Sequence, residues 1–172
     1  MYRTLIVMVI LLATLWSCHD SDIHKTYPKE ISSESKKVNQ ADNEAAFNAV
    51  LEKHLAAIDN KDLEALKSTL SPSGNMRLIL VGSEVKSSVD SFLTFHEEWF
   101  QDTTWTFDAE IQSTIVKDDL GLAIVESMYQ EPRRNGQPYF NRMTISYVLE
   151  KEDGNWYVIN DHASSIEKTE NN

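Results

Sequence analysis

Cysteine is nearly absent. Cys18 stands alone among 172 residues, so no intramolecular disulfide can brace the fold in any redox compartment. The five histidines show no HxxxH or HExxH spacing, which removes the common zinc-hydrolase pattern, and no metal site is expected. No nucleophile elbow, phosphate-binding loop or dinucleotide fingerprint occurs, and no cofactor is expected either. Basic residues are outnumbered, 16 Lys and Arg against 27 Asp and Glu, for a formal net charge of −11. Such a chain repels phosphates and gains nothing from an anionic lipid surface, which argues against nucleic acid as a partner. A bilayer-spanning apolar run is missing as well: the longest, at the start, has about a dozen residues where a helix needs about 20.

That short run is informative. Met1-Tyr2-Arg3-Thr4 leads into an apolar stretch from Leu5 to Leu12, continued by Ala13-Thr14-Leu15-Trp16, the dimensions of a signal-peptide core. It ends in Leu15-Trp16-Ser17-Cys18, which resembles the lipobox of bacterial lipoproteins: an aliphatic residue, two more, then the cysteine. Ser17 is small enough for the peptidase, while Trp16 departs from the small residue usual at its place. The resemblance implies removal of residues 1–17, lipid on Cys18, and a membrane-anchored domain exported to the bacterial cell envelope (periplasm or outer surface). An ordinary signal peptide with a leftover thiol is the alternative. Loss of residues 1–17 takes the formal charge from −11 to −12, because Arg3 is the only ionised side chain removed. Attachment must then come from acyl chains, at roughly 0.8 kcal/mol per buried CH₂.

Residues 18–41 are polar and charged, with Ile23, Tyr27, Ile31 and Val38 placed without a period. They bury too little to offset their ordering entropy and read as a disordered tether, in which His19 and His24 are solvated. Residues 42–167 read as one domain and 168–172 as a disordered tail. Behind Asp42 and Glu44, Phe47, Val50, Leu51, Leu55 and Ile58 follow helical spacing. Asn60 is the expected cap of a short second helix through Leu63, Leu66 and Leu70. Met76 to Val81 reads as a strand. Val89, Phe92, Leu93, Trp99 and Phe100 mark a third helix, capped by Ser87 or Ser88. The period then drops to two: Trp105, Phe107, Ala109 and Ile111 alternate with polar residues. Three more strands are expected, about Leu122 to Gln130, Tyr139 to Glu150 and Trp156 to Ser164. Asn135-Gly136 and Asp153-Gly154 supply the positive φ angles of tight hairpins. Helices set ahead of an antiparallel meander make an α+β domain of order α-α-β-α-β-β-β-β.

This order, closing on Gly154-Asn155-Trp156-Tyr157-Val158-Ile159-Asn160-Asp161-His162-Ala163-Ser164, resembles the NTF2-like superfamily, within it the small SnoaL-like and ketosteroid-isomerase-like bacterial members. The resemblance covers about Asp42 to Ile166. It implies a cone, three helices on a curved antiparallel sheet with one open end, and a homodimer formed through the sheet.

Residues near the mouth of such a cone are the candidates for function. Strict alternation along the last strand puts Trp156, Val158, Asn160 and His162 on one face and Tyr157, Ile159, Asp161 and Ala163 on the other, unless a bulge shifts them. His162 titrates near neutral pH and is the candidate general base. His96 interrupts the apolar stripe of the third helix and should look inward, as a core or rim histidine; His54 lies on the buried flank of the first. Arg142 offers a planar fork for a ligand carboxylate or, the favoured case, a partner for Glu126. Trp105 and Tyr129 are amphipathic walls if they are not simply core. Arg133-Arg134 reads as a solvated hairpin tip. No local motif allows the family's acid-base residues to be carried over. Two functions stay open: a binding module for a small apolar or amphipathic molecule or a protein partner, and a cofactor-independent isomerase, cyclase or dehydratase using a pocket His or Asp. A deep apolar cavity with converging polar groups favours the second; one filled by aromatic side chains favours docking.

Overall fold

The computed structural model describes residues 29–170; the apolar start, Cys18, His19 and His24 lie outside the described residues. Helix α1 (Lys29–Asp59) begins well ahead of Asp42, so part of the expected tether is helical. Apolar periodicity could not announce those turns, because they are mostly polar and their apolar residues Ile31 and Val38 follow no period. Once Phe47 and Leu51 are seated in the core, the nucleation cost is met and each added polar residue extends the helix cheaply. The helix stops where Lys61 turns left-handed (φ 55). There Asp62 N–H donates to Ala57 O (2.9 Å) and Lys61 N–H to Ile58 O (3.0 Å), a pairing that satisfies the last carbonyls.

Helix α2 (Leu63–Lys67) is capped by Asp62, which accepts from Ala65 N–H, not by Asn60. Asn60 instead donates its side-chain amide to Ala56 O (2.7 Å) and finishes α1. After β1 (Arg77–Ile79) comes α3 (Val89–Trp99), with Ser88 as cap and Ser91 closing a capping box. The strands are β2 (Thr106–Val116), β3 (Leu120–Arg134), β4 (Gln137–Glu152) and β5 (Asn155–Lys168). All run longer than polarity alone suggested, because a ladder once started satisfies the polar backbone of its neighbour. The expected disordered tail is also pinned at its start: β5 reaches Lys168, and Thr169 exchanges two 3.0 Å bonds with Phe140. Asn135-Gly136 and Asp153-Gly154 all adopt positive φ, as two-residue hairpins require.

The sheet order is β1-β5-β4-β3-β2, antiparallel except for β1, which lies parallel to β5. This is an α+β fold of the NTF2-like type: a curved five-stranded sheet with α1 packed against β2 and β5. Phe47 meets Trp156 edge-on at 5.4 Å, and both are buried with Leu51, Leu66, Leu149 and Val158. Gly121 is required by this packing, since a Cβ there would lie 2.3 Å from the Phe47 ring.

Four register shifts decide which residues face inward. On β3, Glu131 pairs with Tyr139 but Arg134 with Gln137. On β2, Ile111 pairs with Val125 and Ser113 with Ile124, leaving Gln112 over. On β5, Val158 pairs with Leu149 but Asn160 with Val148, leaving Ile159 over; Ser165 pairs with Met143 but Glu167 with Arg142, leaving Ile166 over. Each extra residue shifts the alternation by one. Trp156 and Val158 therefore face the core, and beyond the first β5 bulge so do Asp161 and Ala163, with His162 exposed. The expected facing holds for the first half of β5 and inverts in the second.

Candidate functional site

The concave side of the sheet, α3 and the segment after β1 enclose a cavity of about 590 Å³. Its deep end lies at one cross-strand pair, Tyr147 on β4 opposite Asp161 on β5. Both are buried, at 0% and 5% exposure. The two are near enough for the hydroxyl to temper the acid, yet neither the Tyr147 hydroxyl nor Asp161 Oδ1 completes a hydrogen bond of proper geometry. Burial pushes the Asp161 carboxyl up to about 7, against the smaller opposing influence of Tyr147. Burial likewise raises the Tyr147 phenol well above its ordinary value, with the Asp161 charge adding to it. The acid is thus poised near neutrality beside a neutral phenol.

His96 reaches the cavity from α3. Its Nδ1 lies 2.8 Å from Phe92 O; a carbonyl only accepts, so Nδ1 carries the proton and Nε2 the lone pair. Burial lowers its pKa to about 4, the Phe92 bond opposing, so the ring is neutral near pH 7. His54 is sealed in the core behind it. Thr69 gives its hydroxyl proton to Leu66 O (2.6 Å) and accepts from His54 Nδ1 (2.7 Å). Burial, then the proximity of His96, lowers His54 to about 3, and it does not line the cavity.

The aromatic wall comes from α3 and the strands beside it. Trp99 and Trp105 stack at 4.3 Å and 10°, and Trp105 Nε1 donates to Trp99 O (3.2 Å). Lys61 covers the Trp105 ring at 3.7 Å. At the rim, Tyr129 donates its hydroxyl to Glu131 (2.6 Å), which also accepts from two guanidinium nitrogens of Arg134, Nε and Nη2. The Arg134 guanidinium lies over Tyr139 at 3.5 Å. Burial and the Glu131 bond push Tyr129 up to about 12, and Arg134 holds Glu131 below the usual carboxylate range.

Of the residues singled out in the sequence, the structure brings Trp105, Tyr129 and His96 together in this cavity. His162 is excluded. It sits on the outer face opposite Ser146, turned outward by the bulge at Ile159. Arg142 is on the outer face too, paired with Glu126 (3.2 Å) and Glu167 (3.7 Å). Arg134, read as a solvated tip, is instead part of the rim. Tyr147, Asp161 and Glu131 were missed as site residues. The one signal for Asp161 was an acid inside an apolar strand; its facing depended on a bulge that periodicity does not reveal. Among the described residues no three His, Cys, Asp or Glu side chains cluster to hold a metal, and no helix is long and apolar enough to cross a membrane.

Solved structures share this architecture at low identity. A ketosteroid isomerase-like protein from Erwinia carotovora atroseptica is 18% identical, with 72% of this chain and 95% of that chain covered at a TM-score of 0.62. A type 2 hexachlorocyclohexane dehydrochlorinase is 12% identical over 77% of this chain and 91% of its own, TM-score 0.67. An NTF2-like protein with a cystatin-like fold from Novosphingobium aromaticivorans is 11% identical over 82% and 93%, TM-score 0.66. Likeness at this level concerns the fold alone. Among curated proteins no sequence matches this chain. The SnoaL-like domain matches residues 47–167, from the first core phenylalanine of α1 to the end of β5, and the chain belongs to that family.

Proposed function

We propose that the domain binds a small, mainly apolar molecule whose single buried oxygen sits between Tyr147 and Asp161. One observation carries this reading: among the described residues Tyr147 Oη and Asp161 Oδ1 have only each other, without a hydrogen bond of proper geometry, and the pair is buried at the deep end of an aromatic-walled cavity. A buried polar atom left unpaired costs about 1–3 kcal/mol, which a ligand oxygen would relieve. Calorimetric titration with 4-hydroxybiphenyl and biphenyl tests it. The hydroxylated compound should bind more tightly, and Tyr147→Phe should weaken it about threefold to tenfold, the worth of one hydrogen bond. Absence of binding, or equal binding of both compounds by wild type and variant, would overturn the reading.

A second reading, proton transfer without a cofactor, is the one that a deep cavity with converging polar groups favours, and His96 supplies its candidate base. His96 lines the cavity and its fixed tautomer leaves the Nε2 lone pair free of the Phe92 bond, while Tyr147 and protonated Asp161 are donors suited to a developing enolate oxygen. The chemistry is isomerase- or dehydratase-like: His96 Nε2 takes a proton from carbon, and the electron pair moves onto the oxygen held by Tyr147 and Asp161. Deuterium uptake at the activated CH₂ of bound 2-tetralone, followed by NMR, should exceed the buffer rate. His96→Gln should return it to the buffer rate while 4-hydroxybiphenyl still binds.

The address is part of the same proposal. Export, cleavage before Cys18 and lipid on that residue would hold the cavity at the bacterial cell envelope, with the membrane as partner. A homodimer would form through the outer sheet face, where Ile115 and Leu122 pair across β2 and β3 and stay exposed.

A further inference from the structure

The cavity is polar at both ends and apolar between, and the ends differ in charge. The deep end is the Tyr147–Asp161 pair. From there the inner face of β4 runs outward through Ile145 and Met143 to Asn141, faced by the aromatic wall of Phe95 and Trp99. The rung of Tyr147 with Asp161 and the rung of Asn141 with Lys168 lie six residues apart on β4, roughly 20 Å of backbone at about 3.3 Å per residue, a span that the long Tyr147 and Lys168 side chains shorten for a ligand held between their ends. A long cavity of this kind suits an elongated body.

Among the described residues the outer end carries one cation without an ion-pair partner. The bulge at Ile166 sends Glu167 outward to Arg142 and turns Lys168 back toward the cavity. The other charges there are already answered. Glu131 is bound to Arg134. Asp102 accepts from the Thr104 N–H (2.8 Å) and hydroxyl (2.7 Å) and lies in the field of Lys61. Lys168 is exposed and makes no ion pair among the described residues. An anionic group cannot be placed at the deep end, because stripping a carboxylate of water beside an acid is costly. At the mouth it keeps its hydration and meets Lys168.

We propose that the ligand is an elongated amphipathic carboxylate, bound with its anionic end at Lys168, its apolar body along Met143, Ile145, Phe95 and Trp99, and a neutral hydroxyl or carbonyl oxygen at Tyr147 and Asp161. This rests on the binding reading above and adds the ligand's polarity and orientation.

Three matched probes separate the two: 4′-hydroxybiphenyl-4-carboxylate, 4-hydroxybiphenyl without the carboxylate, and biphenyl-4-carboxylate without the hydroxyl. Titration calorimetry on the full chain should rank the first tightest, about fivefold above 4-hydroxybiphenyl, as one solvent-facing charge pair allows. That advantage should shrink as salt rises from 0.02 to 0.5 M. Lys168→Glu should abolish or reverse it and leave 4-hydroxybiphenyl within twofold of wild type, which also shows the variant's cavity to be intact. Equal binding of acid and neutral compound, or an advantage that survives Lys168→Glu, overturns the carboxylate assignment and leaves the binding reading standing. If no probe binds, the binding reading falls and takes this one with it.

Discussion

Single side chains here derive their properties from burial more than from neighbours. Asp161 rises from 3.8 to about 7 because the fold strips it of water. Between those values the native chain keeps a proton that the unfolded chain releases. Its contribution to stability is therefore full below about pH 4, declines as the pH climbs toward 7, and is constant above. His54 and His96 act in the opposite sense: lowered from 6.5 to about 3 and about 4, they contribute fully above 6.5 and lose that contribution as the pH falls. Asp161→Asn isolates the first effect. The melting temperature of the variant minus that of wild type should climb from pH 4 to pH 7 and then level off. A difference independent of pH would mean that the carboxyl is hydrated in the fold. Such behaviour was hidden in the sequence. Helical periodicity sufficed to send His96 inward, but the last strand needed a bulge to be known before Asp161 and His162 could be assigned to opposite sides.

Elements were more readable than their ends. Hydrophobic period located all three helices and all five strands, and the Asn-Gly and Asp-Gly pairs marked two of the three hairpins, because these signals are local. Boundaries depend on partners distant in sequence. Polar turns ahead of Phe47 are helical only because the rest of α1 is docked, and β5 runs to Lys168 because β4 is there to receive it. Gly121 shows the same dependence in reverse: nothing around it in sequence says that an aromatic ring from α1 lies against it. Gly121→Ala must displace the wholly buried Phe47, and overpacking of this kind costs about 1–3 kcal/mol. Chemical denaturation should record that loss. Phe47→Leu in the same chain should restore part of it by making room; a Gly121→Ala chain as stable as wild type would place the ring elsewhere.

On the scale of the whole molecule, two readings from the sequence concern what surrounds the domain, and neither depends on its core. The chain's net charge of −11 disfavours electrostatic adsorption to anionic surfaces, and the lipoprotein proposal makes the attachment covalent. Cys18→Ser should release the protein from membranes into the soluble fraction, and mass spectrometry of the wild type should find acyl chains on an N-terminal cysteine. An unmodified thiol in mature protein would end the lipoprotein proposal. Family membership was visible through the order of elements and the Gly154-to-Ser164 ending. The cavity's polar pairs were not, since they arise only when β4 and β5 are laid side by side.

The bulge at Ile159 bears on how this chain should be compared with its relatives. Healing it by deletion would shorten β5 by one residue yet leave Asp161 facing the cavity and His162 facing out, because the surplus residue takes no place in the alternation. A relative with a straight last strand therefore carries one residue fewer between the positions of Val158 and Asp161. An ungapped alignment of the two would set Asp161 against an outward position and miscount the acids of the site. A gap at 159, and a second at 166 where the strand bulges again, keeps inward residues with inward residues. Insertions tolerated in this way leave the lining of a cavity unchanged while its sequence drifts out of frame.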